Sequence, residues 1–172
     1  NEQPTTWIIE QVKLLAPKRK IQILDFASGN GRNSIHLAGK NRIVTAIDKD
    51  SMELVQYDHF EYINTICFDL ETNQNWPLKE NHYDIVIVVN YLYRPKIKKL
   101  MSLLKNGGYL LYETFSNGNE RYGSPKNPNF LLKDRELINL FSKENEILSY
   151  FNGKGIQEKI SIKQRCLIKK TS

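Results

Sequence analysis

Three observations predict an α/β fold with a largely parallel sheet. Short β-branched apolar runs alternate with stretches of helical periodicity. Residues 83–89 (YDIVIVV) are almost wholly apolar, as a strand covered on both faces must be. Residues 21–26 run directly into a small-residue turn and a helix start, the outline of a strand–turn–helix unit.

The elements follow in order. Pro4-Thr5-Thr6 opens a helix whose stripe is Trp7, Ile8, Val12 and Leu15, and Pro17 ends it. After the strand at 21–26, the turn at 27–31 leads into a helix over about 32–39. A second strand covers 42–47, and Ser51, following Asp50, starts a short helix. Residues 63–68 read as a third strand and 69–82 as a loop. Past the strand at 83–89, Pro95 begins a helix to about residue 104, stopped by Asn106-Gly107-Gly108. Residues 109–115 form a fifth strand, and 116–130 a long, turn-rich loop. A helix over about 133–142 precedes a final antiparallel pair at 146–150 and 159–168.

The chain's 172 residues suit one domain, spanning 1–172, with a full core. At 40% apolar and 26% charged it has a globular profile. No run approaches the roughly 18 apolar residues of a membrane helix. Asn1-Glu2-Gln3-Pro4 shows no basic segment followed by an apolar one, so no secretory signal is legible. Cys67 and Cys166 are too far apart to suggest a metal or disulfide pattern, so a cytoplasmic setting with reduced thiols is expected. His36, His59 and His82 show no ligand spacing, which argues against zinc.

Charge is uneven. Residues 1–90 hold 9 Lys and Arg against 12 Asp and Glu, a net of −3; residues 91–172 hold 16 against 7, a net of +9, which together give +6. A basic half suits an anionic partner, nucleic acid included. No dense basic run with interleaved aromatics is present, so nucleic acid is the lesser partner expectation.

The chemistry is carried by Ile21-Gln22-Ile23-Leu24-Asp25-Phe26-Ala27-Ser28-Gly29-Asn30-Gly31-Arg32. Such a turn lets backbone approach a ligand closely. A dinucleotide fingerprint would need Gly at position 34, where Ser34 stands, and a P-loop would need a G-K-[ST] that is missing.

The pattern Asp25, Gly29, Gly31 resembles the first motif of the class I S-adenosylmethionine-dependent methyltransferases. Thr45-Ala46-Ile47-Asp48 matches the acid ending their second strand. Phe68-Asp69-Leu70, the strand before Asn90-Tyr91, and the turn from Leu103 to Leu111 match further landmarks in order. More narrowly, Asn90-Tyr91-Leu92-Tyr93-Arg94-Pro95, Tyr112-Glu113-Thr114-Phe115, Gly118-Asn119-Glu120-Arg121-Tyr122-Gly123 and Asn127-Pro128-Asn129-Phe130-Leu131-Leu132 are similar to small bacterial methyltransferases of unassigned substrate. Those are loosely similar to tellurite-resistance and thiol methyltransferases.

The resemblance implies a Rossmann-like, seven-stranded sheet in the order 3-2-1-4-5-7-6, the last strand antiparallel, with helices on both faces. It implies S-adenosylmethionine as cofactor and S-adenosylhomocysteine as product. Gly29 and Gly31 would bring backbone near the methionine and ribose, with Ala27 and Ser28 leaving room. Asp48 would hold the ribose hydroxyls, and Asp69 would stand near the adenine amino group. Lys49 and Leu70, beside them, and Asn90 complete the cofactor set. Arg32 would pair with the cofactor carboxylate or lie solvated, and Asp25 would order the turn by accepting its backbone N–H groups.

For the acceptor, Asn90, Tyr91, Arg94 and Glu113 are the candidate catalytic residues. An aromatic face such as Tyr91 suits a sulfonium. Glu113 is either a buried base or the structural partner of Arg94 or Arg121. Arg94 and Arg121 together would suit an acidic acceptor. The loop at 116–130 reads as a lid or as an ordered passive segment. Trp7 is expected to pack, with a cover over the cofactor site as its alternative, and Trp76 to pack. The absence of an obvious recognition insertion favours a small-molecule nucleophile, a thiol or chalcogen compound or a nitrogen or oxygen acceptor, over RNA or protein, and the absence of a clear base suits the soft thiol or chalcogen. A non-catalytic cofactor-binding subunit is the remaining alternative.

Overall fold

A computed structural model describes residues 2–156 and 159–171. These form four α-helices, α1 (Thr6–Leu15), α2 (Arg32–Leu37), α3 (Ser51–Leu54) and α4 (Glu136–Phe141), and seven strands. The strands are β1 (Ile21–Phe26), β2 (Arg42–Asp48), β3 (Ile63–Cys67), β4 (Tyr83–Val89), β5 (Leu104–Phe115), β6 (Asn145–Ile156) and β7 (Ile160–Lys170). They build one sheet in the order β3-β2-β1-β4-β5-β7-β6. β7 runs antiparallel to both neighbours, and the other pairings are parallel. Order and polarity are those the resemblance implies.

Alternation of side chains along each strand divides the core into two layers. Ile23, Val44, Ile87 and Leu111 face α1, α2 and α3, with Ile8, Val12, Leu37 and Leu54 packed on them. Leu24, Val86, Val88, Leu110 and Tyr112 face the other way, toward Ile97, Leu100, Leu137 and Phe141. Every residue of β4 is buried, as its apolar run predicts.

The helix expected over 95–104 is instead a run of 3₁₀ turns, Arg94–Leu103. Its buried Ile97, Leu100 and Leu103 recur at intervals of three, the period that aligns side chains in a 3₁₀ helix. Asn106-Gly107-Gly108 does not end a helix. It lies within β5, where Leu104 already pairs with Tyr83 and the register slips before Ile85 pairs with Tyr109. Gly108 is needed there, because a Cβ would stand 2.9 Å from the Asp84 carbonyl oxygen.

α4 starts later than its pattern suggests, because the Glu136 Oε1 accepts from the Lys133 backbone N–H at 2.9 Å and holds the preceding residues in a turn. β6 and β7 are longer than the final pair expected at 146–150 and 159–168. Gly153 and Gly155 interrupt the apolar pattern while their backbone stays in the ladder, opposite Lys163 and Ser161.

Candidate functional site

β1 ends where the sheet order reverses direction, between β2 and β4, and the chain must turn sharply there. Ala27, Gly29 and Gly31 all take positive φ, at 59°, 54° and 75°. Gly31 has a second requirement. A Cβ on it would sit 2.6 Å from the ring of Tyr57, which is fully buried against the turn. The Tyr57 hydroxyl donates to the Gly29 carbonyl at 2.9 Å. It lies 2.7 Å from the Ser28 Oγ, so the serine hydroxyl donates to it in turn. Burial pushes the Tyr57 phenol well above its ordinary range, so it stays protonated and keeps this role.

Asp48, at the end of β2, reaches across to the same turn. Its Oδ2 accepts from the Gly29 N–H and its Oδ1 from the Asp50 N–H, each at 2.9 Å. A carboxylate has roughly four acceptor positions, so half remain for a ligand. Asp25 is 3% exposed. Its expected partners, the backbone N–H groups of the turn, are replaced by α2: Ser34 Oγ donates to Asp25 Oδ2 at 2.7 Å. Ser34, the residue that breaks the dinucleotide fingerprint, is thus the group that holds the first acid. Burial pushes the Asp25 carboxyl up to about 6, with the Ser34 hydrogen bond opposing.

A cavity of about 290 Å³ opens over this turn. Its walls are Asp25, Ala27, Ser28, Gly29, Asn30, Arg32 and Asn33, then Asp48 from β2 and Val89, Asn90 and Tyr91 from the end of β4. No atom lies within 4 Å of the position a Gly29 Cβ would take, so bare backbone faces the space. Asn90 also takes positive φ, 55°, while its N–H donates to the Glu113 carbonyl at 2.9 Å. The segment before α1 borders the turn. Arg32 Nη1 donates to Thr5 Oγ1 (2.8 Å) and the Gln3 carbonyl (3.1 Å), and Asn30 Nδ2 donates to Glu2 Oε2 (2.9 Å). Arg32 is therefore a partnered group on the cavity wall, not a solvated one.

Lys49, Asp69 and Leu70 lie outside this wall. Lys49 and Asp69 are exposed at the ends of β2 and β3, and the Asp69 carboxylate accepts from the Glu71 N–H at 3.0 Å. Leu70 is buried, and its carbonyl accepts from Trp76 Nε1 at 3.1 Å. Tyr91 borders the cavity on one side. On the other it closes a nearly filled aromatic slot with Phe26 and Trp76, whose rings meet edge-on at 4.9 Å. Trp7 packs on the α1 layer and is absent from the cavity wall.

The acceptor candidates separate. Asn90 and Tyr91 are at the cavity. Arg94 is engaged elsewhere. Its Nε and Nη2 grip Glu136 at 2.8 and 3.0 Å, and its remaining bonds go to the carbonyls of Asn129 and Leu131. Glu113 is 1% exposed and pairs with neither Arg94 nor Arg121. Its partner is Arg165, directly opposite it in the β5–β7 ladder. The 116–130 segment is tied down by buried Asn119, which donates to the Pro125 carbonyl and accepts from the Ile162 N–H. Tyr57 carries no motif in the sequence. Ser34 had a signal, a hydroxyl where the fingerprint wants glycine.

No helix among the described residues is long and apolar enough to cross a membrane. No curated protein matches the sequence significantly. The fold is shared with solved structures at low identity. Against TehB from Haemophilus influenzae the TM-score is 0.74 at 20% identity, covering 97% of this chain and 62% of that one, so the chain spans less than two thirds of that protein. A methyltransferase from Methanosarcina mazei described as SAM-dependent gives 0.74 at 17% identity, covering 98% and 99%. A TehB-like methyltransferase from Corynebacterium glutamicum gives 0.69 at 17%, covering 94% and 86%. The sequence profile of the tellurite resistance protein TehB matches residues 3–166, nearly the whole chain, and with a class I methyltransferase sheet beneath it the protein belongs to the TehB family.

Proposed function

We propose that the protein is an S-adenosylmethionine-dependent methyltransferase acting on a small soft nucleophile, a thiol or chalcogen compound. The observation that carries the reading is the cavity bounded by the bare backbone at Gly29 and the half-used Asp48 carboxylate. The residues present fit the cofactor. Asp48 has acceptor positions left for ribose hydroxyls. Asn30 and Arg32 offer donors toward a carboxylate, and Asp25 and the Gly29 backbone line the space beside them. Lys49, Asp69 and Leu70 extend the same edge toward an adenine.

Bound there, the cofactor supplies a methyl group on a sulfonium that already carries its own leaving group. The chain's own residues then contribute position and exclusion of water. Tyr57 and Asp48 hold the turn rigid. Tyr91 offers an aromatic face to the cationic side. Asn90, fixed by its bond to the Glu113 carbonyl, presents its amide at the cavity mouth. Glu113 is committed to Arg165, so an acceptor that ionises readily suits the site better than one needing a strong base.

Calorimetric titration with S-adenosylmethionine and S-adenosylhomocysteine tests the reading. Binding near the micromolar range is expected for the intact protein, weakened at least about thirty-fold by Asp48→Ala. No heat from the intact protein overturns it. Stoichiometric binding without turnover on any thiol, amine or hydroxyl acceptor points instead to a non-catalytic binding subunit. The basic 91–172 half favours one rival, an RNA or protein acceptor; turnover confined to those substrates, with steeply salt-dependent RNA binding, would replace the small-molecule reading.

A further inference from the structure

Side chains from four strands form one row leading away from the cavity. Val89, on its wall, pairs with Glu113; Glu113 pairs with Arg165; Arg165 pairs with Phe151. Two residues further along the same face, Phe115 pairs with Lys163. With strands spaced about 4.8 Å apart, Arg165 stands roughly 10 Å from the cavity wall. That is a distance for the acceptor's far end, and Arg32 and Asn30 remain for the cofactor.

The charges of this row do not balance. Glu113 is the one carboxylate, and its Oε1 accepts from Arg165 Nε. Among the described residues, the outer guanidinium nitrogens of Arg165 make no hydrogen bond. The charge centre of Arg165 lies over the Phe151 ring, 5.4 Å from its centre. Gly155 stands beside one of those nitrogens, where a Cβ would come within 3.8 Å of it, and the Arg165 side chain is 26% exposed. Lys163 is half-buried, and its ammonium lies 4.8 Å from the Phe115 ring centre. It makes no ion pair or hydrogen bond among the described residues. Desolvation holds it below the ordinary lysine range, and Arg32 and Arg165 push the same way against Glu113. A half-buried ammonium and an open guanidinium edge, side by side with one counter-charge, form a site lacking an anion.

We propose that Lys163 and Arg165 hold the carboxylate of the methyl acceptor, so that the substrate class is small thiols carrying a carboxylate. The assignment rests on the methyltransferase reading above. In the transfer, a bond forms between the acceptor sulfur and the methyl carbon. The donor's sulfur–methyl bond breaks with its electron pair going to the donor sulfur, and the thiol proton passes to water. Arg94, paired with Glu136, and Arg121, on the exposed loop, are not needed for this charge.

The test titrates 3-mercaptopropionate and its uncharged amide, 3-mercaptopropionamide, into protein saturated with S-adenosylhomocysteine. The carboxylate is expected to bind at least about ten-fold tighter than the amide. Lys163→Met, which keeps the apolar stem, should reduce that ratio about ten-fold. Arg165→Lys, which keeps a cation beside Glu113, should reduce it several-fold. Equal binding of the two thiols, binding of neither, or a ratio unchanged in both variants overturns the assignment. Carboxylate binding without any methyl thioether formed from S-adenosylmethionine overturns its role as acceptor. Failure of the methyltransferase reading shows separately, as absence of S-adenosylhomocysteine heat, and the same pair of thiols titrated into the unliganded protein still reads the charge site.

Discussion

At the β1 turn, the polar groups find partners within the protein: Asp48 takes two backbone N–H groups, Tyr57 a carbonyl and a hydroxyl, and Asp25 a hydroxyl from α2. At the β5–β7 edge the groups are charges, and among the described residues they are left partly unmatched: one oxygen of Glu113 has no hydrogen-bond partner, nor has Lys163 an ion pair. The turn is held by bonds within the protein, and in the proposed function its backbone faces the cofactor. The edge carries buried charge, and Arg165 is the direct ion-pair partner of Glu113 there. Changes at the turn should therefore act on cofactor binding, and changes at the edge on stability and acceptor choice.

The largest expected effect is at the edge. Arg165→Met strands Glu113 in a buried position and should cost about 3–5 kcal/mol in urea unfolding. Pairing it with Glu113→Gln should recover most of the loss. A single variant as stable as the parent would show that the pair does not hold the edge.

Asp25 breaks the symmetry of the comparison, because it is a buried titrating group at the turn, with its carboxyl raised by burial. Its folded pKa, about 6, lies above its unfolded value near 3.8. The penalty is therefore absent below about pH 4, grows between pH 4 and 6, and is complete above. Asp25→Asn keeps the Ser34 hydrogen bond and should stabilise the protein by about 3 kcal/mol above pH 6. The difference between the two proteins should vanish near pH 4. A pH-independent difference would place the cause elsewhere.

Gly31→Ala tests the turn's shape. The new methyl collides with the Tyr57 ring at a positive φ, and a loss of roughly 2 kcal/mol together with cofactor binding is expected. Tyr57→Phe removes two hydrogen bonds and keeps the ring. About 1 kcal/mol is expected, along with several-fold weaker S-adenosylhomocysteine binding by calorimetry. Unaltered affinity would reduce Tyr57 to packing. The smallest effect is Ala27→Gly, which relieves a left-handed alanine and should change stability by no more than about 0.5–1 kcal/mol, in the stabilising direction.

The strands β1, β2 and β4, the glycine turn and Asp48 were legible because each depends on residues adjacent in the chain. An apolar run has to be buried, and a turn with positive φ needs small residues. Sheet order and the antiparallel β7 followed from the family's landmarks. The site was legible only where it is local. Arg94 looked like a catalytic cation until Glu136, 42 residues later, was seen to pair with it. Glu113 called for a cation, and which one depended on β5–β7 register across 52 residues. Ser34 signalled only that one motif failed, and its actual bond is to Asp25 on another element.

Sequence alone thus determined the class of fold, the place of the turn and the acid at the end of β2. These are set by periodicity, backbone sterics and short-range spacing. Tertiary structure decided that Tyr57 braces the turn and that Arg165 takes Glu113. Among the described residues it also gives Lys163 no ionic partner, because pairing between distant segments is fixed only when strand register brings their side chains to the same face.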